Sequence, residues 1–563
     1  MIGASVFEKL GFRVVFSKST CVAKVEAFQA GRGCAAADFG DLTLLYLGEV
    51  LDHQSFLTAA EILNRFRASG PDCLRDFDGS FLLVLMGGRL DSPLVVTDPL
   101  NSMKCFVEET EDSLILVSSL CFLPDRPRAI DRIGVASFLA NGVIYNHRTL
   151  FEGVRSLPRA SVHTIGASQG ICSQPYWEYR FTNQFADASR QELKEKLAEL
   201  LLNAARKRIR PSETIFLSLS GGYDSTCILG LLSKLAPGRV ECFSYVVNHE
   251  SQGSDEQVAS QMARIAGFPH ASVNLFDGDS VSLIRRNAAM GECRANFCGE
   301  LDAWEAIRAR MDAQSVFFVG DECFGWNGCR LDSEQDVLAS IPIHPSSVLS
   351  QYSDCIDTQA LGEGYDKEVH QFTAAAQESD LHNTKDFLYL DQRLSHVILP
   401  WRELFAGRFA PVRNLLLDRD ILSFMAQLPS RFRLGKNLYK ETVRMMFPEL
   451  FQVRRAYKPA SDPIKAAIFA QRDSVIAEFL SGTCPVDEWI KPANCAKLIP
   501  PTRPLETFSF KARAILHAKK TLKESFLAHS LKNFLRPKPL PAVNPLLHLL
   551  RVVVLRKYIA NKS

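Results

Sequence analysis

The stretch Phe216-Leu-Ser-Leu-Ser220-Gly221-Gly222-Tyr223-Asp224-Ser225-Thr226 constrains this chain more than any other. A strand-like apolar run stops at a serine and two glycines, and a helix-like run starts at once. Glycines let a backbone turn tightly and bring its N–H groups close to an anion. The start of a helix adds free N–H donors and the positive end of its dipole. The hydroxyls of Ser220 and Ser225 can donate to the same group. A carboxylate here would repel phosphate unless a divalent cation lay between them, so Asp224 implies Mg2+. A Gly-Gly turn with a helix cap explains part of this pattern. The complete Ser-Gly-Gly-x-Asp-Ser is far more specific and predicts a nucleotide-pyrophosphate site.

The surroundings divide the 563 residues into three parts. Residues 1–185 carry short apolar runs such as Leu42–Leu47, Ser80–Leu85, Leu94–Thr97 and Leu114–Val117, split by Gly, Asp and Pro, which predicts antiparallel sheet with few helices. In residues 186–480 strand-like runs (Thr214–Leu219, Val240–Val247, Ser315–Val319) alternate with helix-like ones (Cys227–Leu235, Asp255–Ala266, Asp302–Met311), the mark of a parallel α/β sheet. Residues 481–563 read as a basic helical extension. From Pro501 onward thirteen Lys or Arg face only Glu506 and Glu524, so a net charge of +2 leaves the first 500 residues at −9.

An apolar content of 47% with 23% charged residues excludes disorder, collagen and coiled coil as descriptions of the whole. No run approaches the roughly 20 apolar residues of a membrane span, and the start lacks a secretory apolar core, which predicts a cytoplasmic protein. Fifteen cysteines without a Cys-x-x-Cys pair read as reduced, mostly buried thiols, not a zinc site or a disulfide framework. The basic tail could attract an acidic partner, and its last helix could rest on a membrane surface or pack against the acidic body. No motif favours nucleic acid.

The Ser220–Ser225 loop resembles the pyrophosphate loop of the ATP pyrophosphatase superfamily, in particular its asparagine synthetase-like branch. Further stretches match in order: Ser254-Asp255-Glu256 with Ala259, Ala263 and His270; Gly320-Asp321-Glu322-Cys-Phe-Gly325; Arg413-Asn-Leu-Leu-Leu-Asp418; Gly435-Lys436-Asn-Leu-Tyr-Lys440; and Arg454-Arg455-Ala-Tyr-Lys458-Pro459. The resemblance implies ATP and Mg2+, with Asp224 and Asp321 holding the metal. Leu219, Ser220, Gly221, Gly222, Asp224, Ser225 and Lys436 would hold ATP or pyrophosphate, and Lys436 and Lys458 would serve catalysis. Leu47-Gly-Glu49, Asp78-Gly-Ser-Phe81, Asp98 and Phe151–Pro158 with Trp177 are similar to the glutaminase domain of asparagine synthetases. The implied fold is a glutaminase-like antiparallel β-sandwich followed by a parallel α/β synthetase domain of the adenine-nucleotide α-hydrolase type.

Two departures redirect the function. Glutaminase chemistry needs a cysteine after the initiator methionine, and position 2 is Ile2. The first domain is therefore expected to be structural unless an upstream segment is processed away. Asparagine and β-lactam synthetases carry a glutamate two residues before the arginine of the 413–418 stretch, and here that position is Pro411, although Glu403 could substitute. This combination, with Asp391-Gln-Arg-Leu-Ser-His396 and Leu399-Pro-Trp-Arg402, is similar to the lasso peptide macrolactam synthetases (cyclases). That resemblance implies a precursor peptide as substrate, and possible association with a leader-peptide protease and a leader-binding protein. An ammonia-using asparagine synthetase, or another small-molecule amide or β-lactam former, is the alternative.

Overall fold

The computed structural model describes residues 10–31, 33–87, 90, 92–166, 170–246, 255–326, 328–378, 380–453, 463–499 and 543–562. Alternation of apolar and polar residues sets the first domain. In β1 (Gly11–Ser17), Phe12, Val14 and Phe16 point one way. Its partners follow as β2 (Val22–Gln29), β3 (Cys34–Phe39), β4 (Leu42–Leu51), β5 (Asp78–Gly87), β6 (Leu94–Thr97), β7 (Phe106–Glu109), β8 (Ser113–Val117), β9 (Val154–Ser156), β10 (Ser161–Gly166) and β11 (Gly170–Pro175). They build two antiparallel sheets, β2-β1-β8-β7-β9 and β11-β10-β6-β5-β4-β3. Leu114 and Leu116 of β8 meet Leu45 and Leu47 of β4 and Leu82 and Val84 of β5 between the sheets.

The outer faces are apolar too. Leu83 and Leu85 pack on the helix Ala59–Ser69, and Phe106 and Val117 face the helix Arg132–Asn141. Burial on both faces is why β5 reads as a continuous apolar run rather than an alternating one.

Ser189 opens the next domain. Its hydroxyl accepts from the Glu192 N–H while the Glu192 carboxylate accepts from the Ser189 N–H, a capping box that starts the long helix Arg190–Arg208. The strands that follow are β12 (Ile215–Ser218), β13 (Val240–Val246), β14 (His270–Asn274), β15 (Val316–Phe318) and β16 (Val412–Arg413). They form a parallel sheet in the order β14-β13-β12-β15-β16, with Leu217 of β12 in register with Cys242 and Phe318. Phe216, Phe243, Trp304 and Phe317 fill one face of it. Each such burial contributes about 1.5–3 kcal/mol. The α/β and α+β description expected from sequence is the one found.

Buried charges cross between the domains. Arg208 pairs with Asp78 of β5 at 2.7 Å and also with Asp418, which Lys207 reaches at 2.7 Å. Burial opposes the charge of Asp418, yet Arg208 and Lys207 outweigh it and hold the carboxyl below its usual range. Arg413 bonds both oxygens of Glu49, at 2.7 and 2.8 Å, and both of Glu213.

The helix Pro545–Ala560 is not a free appendage. Its Leu549, Val552, Val553, Leu555 and Ile559 are buried, and Arg551 donates to the carbonyls of Leu139 and Ala140. The expectation that it packs against the body describes it, and it offers no exposed apolar face to a membrane. Among the described residues no helix is long and apolar enough to cross one. All fifteen cysteines are unbridged, twelve of them buried.

Candidate active site

The sheet order places a site before any side chain is considered. The chain leaves β12 toward β13 on one side, whereas β15 and β16 lie on the other. The carboxyl ends of β12 and β15 therefore flank the point where the topology reverses, the habitual crevice for ligands in such sheets. The Ser220 loop follows β12, and the Asp321 loop follows β15.

After β12, the Leu219 N–H bonds the Phe243 carbonyl at 2.9 Å, and its own carbonyl accepts from the Ser244 hydroxyl. Gly221 then takes φ +66°, and a β-carbon there would lie 2.7 Å from Val258, so only glycine fits. The helix begins at Tyr223, earlier than the sequence pattern suggested, which puts Asp224 and Ser225 in its first turn. The hydroxyls of Ser220 and Ser225 lie 3.4 Å apart. Gly222 caps the helix without a side chain, leaving the amides of the turn open to an incoming anion.

Gly320 brings the second loop in. A β-carbon on it would stand 3.1 Å from the Asp224 β-carbon. The next two residues then part company. Asp321 turns to Arg402, which donates to its two oxygens at 3.0 and 3.1 Å. Burial disfavours the Arg402 charge, but Asp321 overrides it and raises the guanidinium's pKa. Glu322 instead meets Lys436, whose Nζ lies 3.0 Å from Glu322 Oε1 and 3.0 Å from Asp224 Oδ2. Burial and the nearby Asp224 push the Glu322 carboxyl up, while Lys436 pulls it down. Lys436 is held charged by the same two acids, against the opposing effect of its burial.

Lys436 arrives there because it adopts φ 60°, directly after Gly435 at φ 61°, at the start of the helix Asn437–Met446. Phe324 stacks on Tyr439 of that helix with ring centroids 3.8 Å apart, tying the acidic loop to the lysine segment.

Of the residues singled out in the sequence, Leu219, Ser220, Gly221, Gly222, Asp224, Ser225 and Lys436 thus share one site. Asp321 is on its edge, in the grip of Arg402. Lys458 and Ile2 lie outside the described residues. Glu322 and Arg402 stood in matched stretches but were assigned no role. An acid next to Asp321 in a loop after a strand was the available signal for Glu322, and nothing in the Leu399–Arg402 stretch tied Arg402 to Asp321. Asp224 Oδ1 is buried without a hydrogen-bond partner among the described residues, so its lone pairs are uncommitted. Each Asp321 oxygen accepts one bond and keeps a second lone pair. Oxygen donors of this kind suit a hard divalent ion, and among the described residues no three acidic, His or Cys side chains cluster into a complete ligand set.

A cavity of about 370 Å3 runs from Asp321 and Arg402, past Glu403 and Pro411, to Gly48, Glu49 and Ser80 of the first domain. The Pro411 carbonyl accepts the Phe317 N–H at 2.9 Å, so this residue serves the sheet. Glu403 lines the cavity beside it, 3.6 Å from Arg294.

A parallel sheet with an anion-ready helix start at its switch point, joined to an antiparallel sandwich, defines a two-domain nucleotide-binding protein. The chain belongs to the asparagine synthase family, whose model matches residues 196–504, more than half of its length. Residues 49–177 match the glutamine amidotransferase domain. Among individual proteins, it is 28% identical over 208 residues to Amidase chry2 of Gibberella zeae, covering 33% of this chain and 31% of that one. It is 23% identical over 154 residues to Amidase chyE of Penicillium rubens, covering 25% and 22%. The chain thus spans less than a third of the length of these curated relatives. Solved structures with partial likeness include the U34-tRNA thiolase NcsA of Methanococcus maripaludis, with 11% identity, 54% and 80% coverage and a TM-score of 0.22. Another is the glutamine-dependent NAD+ synthetase of Acinetobacter baumannii, with 15% identity, 36% and 43% coverage and a TM-score of 0.18.

Proposed function

We propose that this protein is an ATP-dependent, AMP-forming carbon–nitrogen ligase. It adenylates a side-chain carboxylate of a precursor peptide and closes a macrolactam with the peptide's N-terminal amine. The observation that carries the reading is the convergence of the Ser220–Ser225 helix start, Asp224, Glu322 and Lys436 at the sheet's switch point, beside a cavity whose acceptor end lacks a glutamate at Pro411.

The substrate carboxylate attacks the α-phosphorus of ATP, and pyrophosphate leaves. The amides of the 221–225 turn and the hydroxyls of Ser220 and Ser225 receive the charge that grows on it, and Lys436 supplies a compact cation. Mg2+ bound through Asp224 and Asp321 would neutralise phosphate charge. The amine then attacks the acyl-adenylate carbonyl, AMP departs, and one proton must leave the nitrogen. Glu403, one of the carboxylates lining the cavity, would accept it, and Lys458 would steady the oxyanion. The cavity walls hold the amine and the acyl-adenylate together and dry, a proximity effect worth several kcal/mol.

Glutamine has no role in this scheme. Arg413 bonds both Glu49 oxygens, so this acid of the glutaminase-like stretch joins the two domains. Release of AMP and pyrophosphate, with product mass read in parallel, tests the reading. Peptide-dependent AMP with a product lighter by one water is expected. AMP formed only with aspartate and ammonium would overturn it in favour of an ammonia-using asparagine synthetase.

A further inference from the structure

A second cavity, of about 420 Å3, lies back to back with the first. The segment 100–103 forms part of the partition: Leu100, Ser102 and Met103 line the first cavity, and Asn101 lines the second. One continuous helical stretch forms another part. Its π-helical portion Tyr389–Ile398 gives Gln392, Ser395 and His396 to the second cavity, and the following turns give Leu399, Arg402 and Glu403 to the first. A π-helix of this kind is rare and is found mostly where function demands a shifted side-chain register.

The chemistry of the second cavity is uncharged. Arg159 and Asp391 neutralise each other at 2.8 Å. Burial keeps the His147 and His396 imidazoles from taking up a proton at neutral pH, so they stay uncharged. Phe372, Phe387 and Pro158 supply apolar wall. One polar atom is left over: Asn101, only 2% exposed, donates its amide to the Leu157 carbonyl at 2.9 Å, but its Oδ1 is buried without a partner among the described residues. A buried acceptor without a donor is costly, and a ligand N–H would satisfy it. Phosphate and nucleotide do not match such a site. An amide backbone with an apolar side chain does.

The first cavity is the size of a small-molecule site. It can hold the reacting carboxylate and amine, but the rest of a peptide must leave it. We propose that the second cavity binds a stretch of the substrate peptide that extends beyond the first cavity, with Asn101 Oδ1 accepting a backbone N–H and an apolar side chain between Phe372 and Phe387. This rests on the peptide reading above.

Ala375 and Gln371 stand on the exposed rim, so Ala375→Trp and Gln371→Trp fill the mouth without touching the core. The probe is a synthetic, leader-free peptide with the core sequence encoded beside the gene, fluorescein-labelled for anisotropy and unlabelled for AMP release. Both variants should weaken peptide binding and raise its KM at least tenfold while the KM for ATP is unchanged. A peptide truncated after the acceptor residue should not distinguish them from the wild type. Asn101→Gly, which keeps the positive φ at that position, should weaken binding of the full peptide in the same direction. Rim variants that bind and react like a peptide-active wild type would overturn this inference alone. A wild type that forms no AMP with the peptide would overturn the macrolactam reading and this inference together.

Discussion

Lys436 carries two burdens, and a paired substitution separates them. Its ammonium lies 3.0 Å from both Asp224 and Glu322, and the Glu322 side chain is 4% exposed. Lys436→Met strands a buried carboxylate, a change that costs roughly 3–5 kcal/mol when a buried pair loses one partner. Asp224, at 27% exposure, adds little because water screens it. Burial already raises the Glu322 carboxyl, and without Lys436 the Phe324 N–H is left to pull it down. A folded-state pKa above the unfolded one makes stability fall as pH rises between the two values. The deficit of Lys436→Met should therefore be smallest near the unfolded glutamate value of about 4.3 and grow as the pH rises above it. Adding Glu322→Gln removes the stranded charge and should restore most of the lost stability. Activity should not return, because pyrophosphate still departs without its cation. Loss of one donor to developing charge costs about 100- to 1000-fold in kcat. Thermal unfolding across pH 5–8 with AMP-release kinetics reads both effects. A double variant as unstable as the single one, or one within about threefold of wild-type turnover, would refute the reasoning.

Other consequences follow from the same buried charges. Lys104 is 4% exposed and has no hydrogen-bond partner among the described residues, and burial, with Arg294 adding to it, lowers its pKa from 10.5 to about 7. That depression corresponds to roughly 5 kcal/mol against the folded ammonium. Lys104→Met should raise the melting temperature most below pH 7, with the gain fading toward pH 10; no gain at pH 6 would count against it. Arg402→Ala frees both Asp321 oxygens and should destabilise the protein by about 3–5 kcal/mol without divalent ions. Millimolar MgCl2 should recover more of that loss than it adds to the wild type, and equal responses in scanning fluorimetry would remove Asp321 from the metal site. Incubation with glutamine should release no glutamate, because Arg413 occupies Glu49; glutamate detected by mass spectrometry would show a working glutaminase.

What the sequence discloses follows the range of the interactions. The 220–225 turn is local: glycine, hydroxyl and carboxylate are adjacent, so the pattern contains its own chemistry. Lys436 is legible only through the order of the matched stretches, because its partners are far away in the chain. The pairing of Asp321 with Arg402 spans 81 residues and leaves no local mark, so two neighbouring acids that look alike end in different roles. β14 escapes notice because an edge strand with exposed polar positions lacks a continuous apolar run, and β16 is only two residues long. The partners of the last helix are hidden for a related reason. Packing against the body was legible, but not that backbone carbonyls of Leu139, Ala140, Phe479 and Ser481, with Asp487, satisfy Arg551 and Arg556 inside the protein. The same logic governs the first domain. Glu49 and Asp78 stand in glutaminase-like stretches, but Arg413 and Arg208 engage them from across the domain boundary. Retention of the sandwich is then explained by what it holds in place: β4 and β5 bring Glu49 and Asp78 to the arginines, and residues 100–103 form the partition between the two cavities.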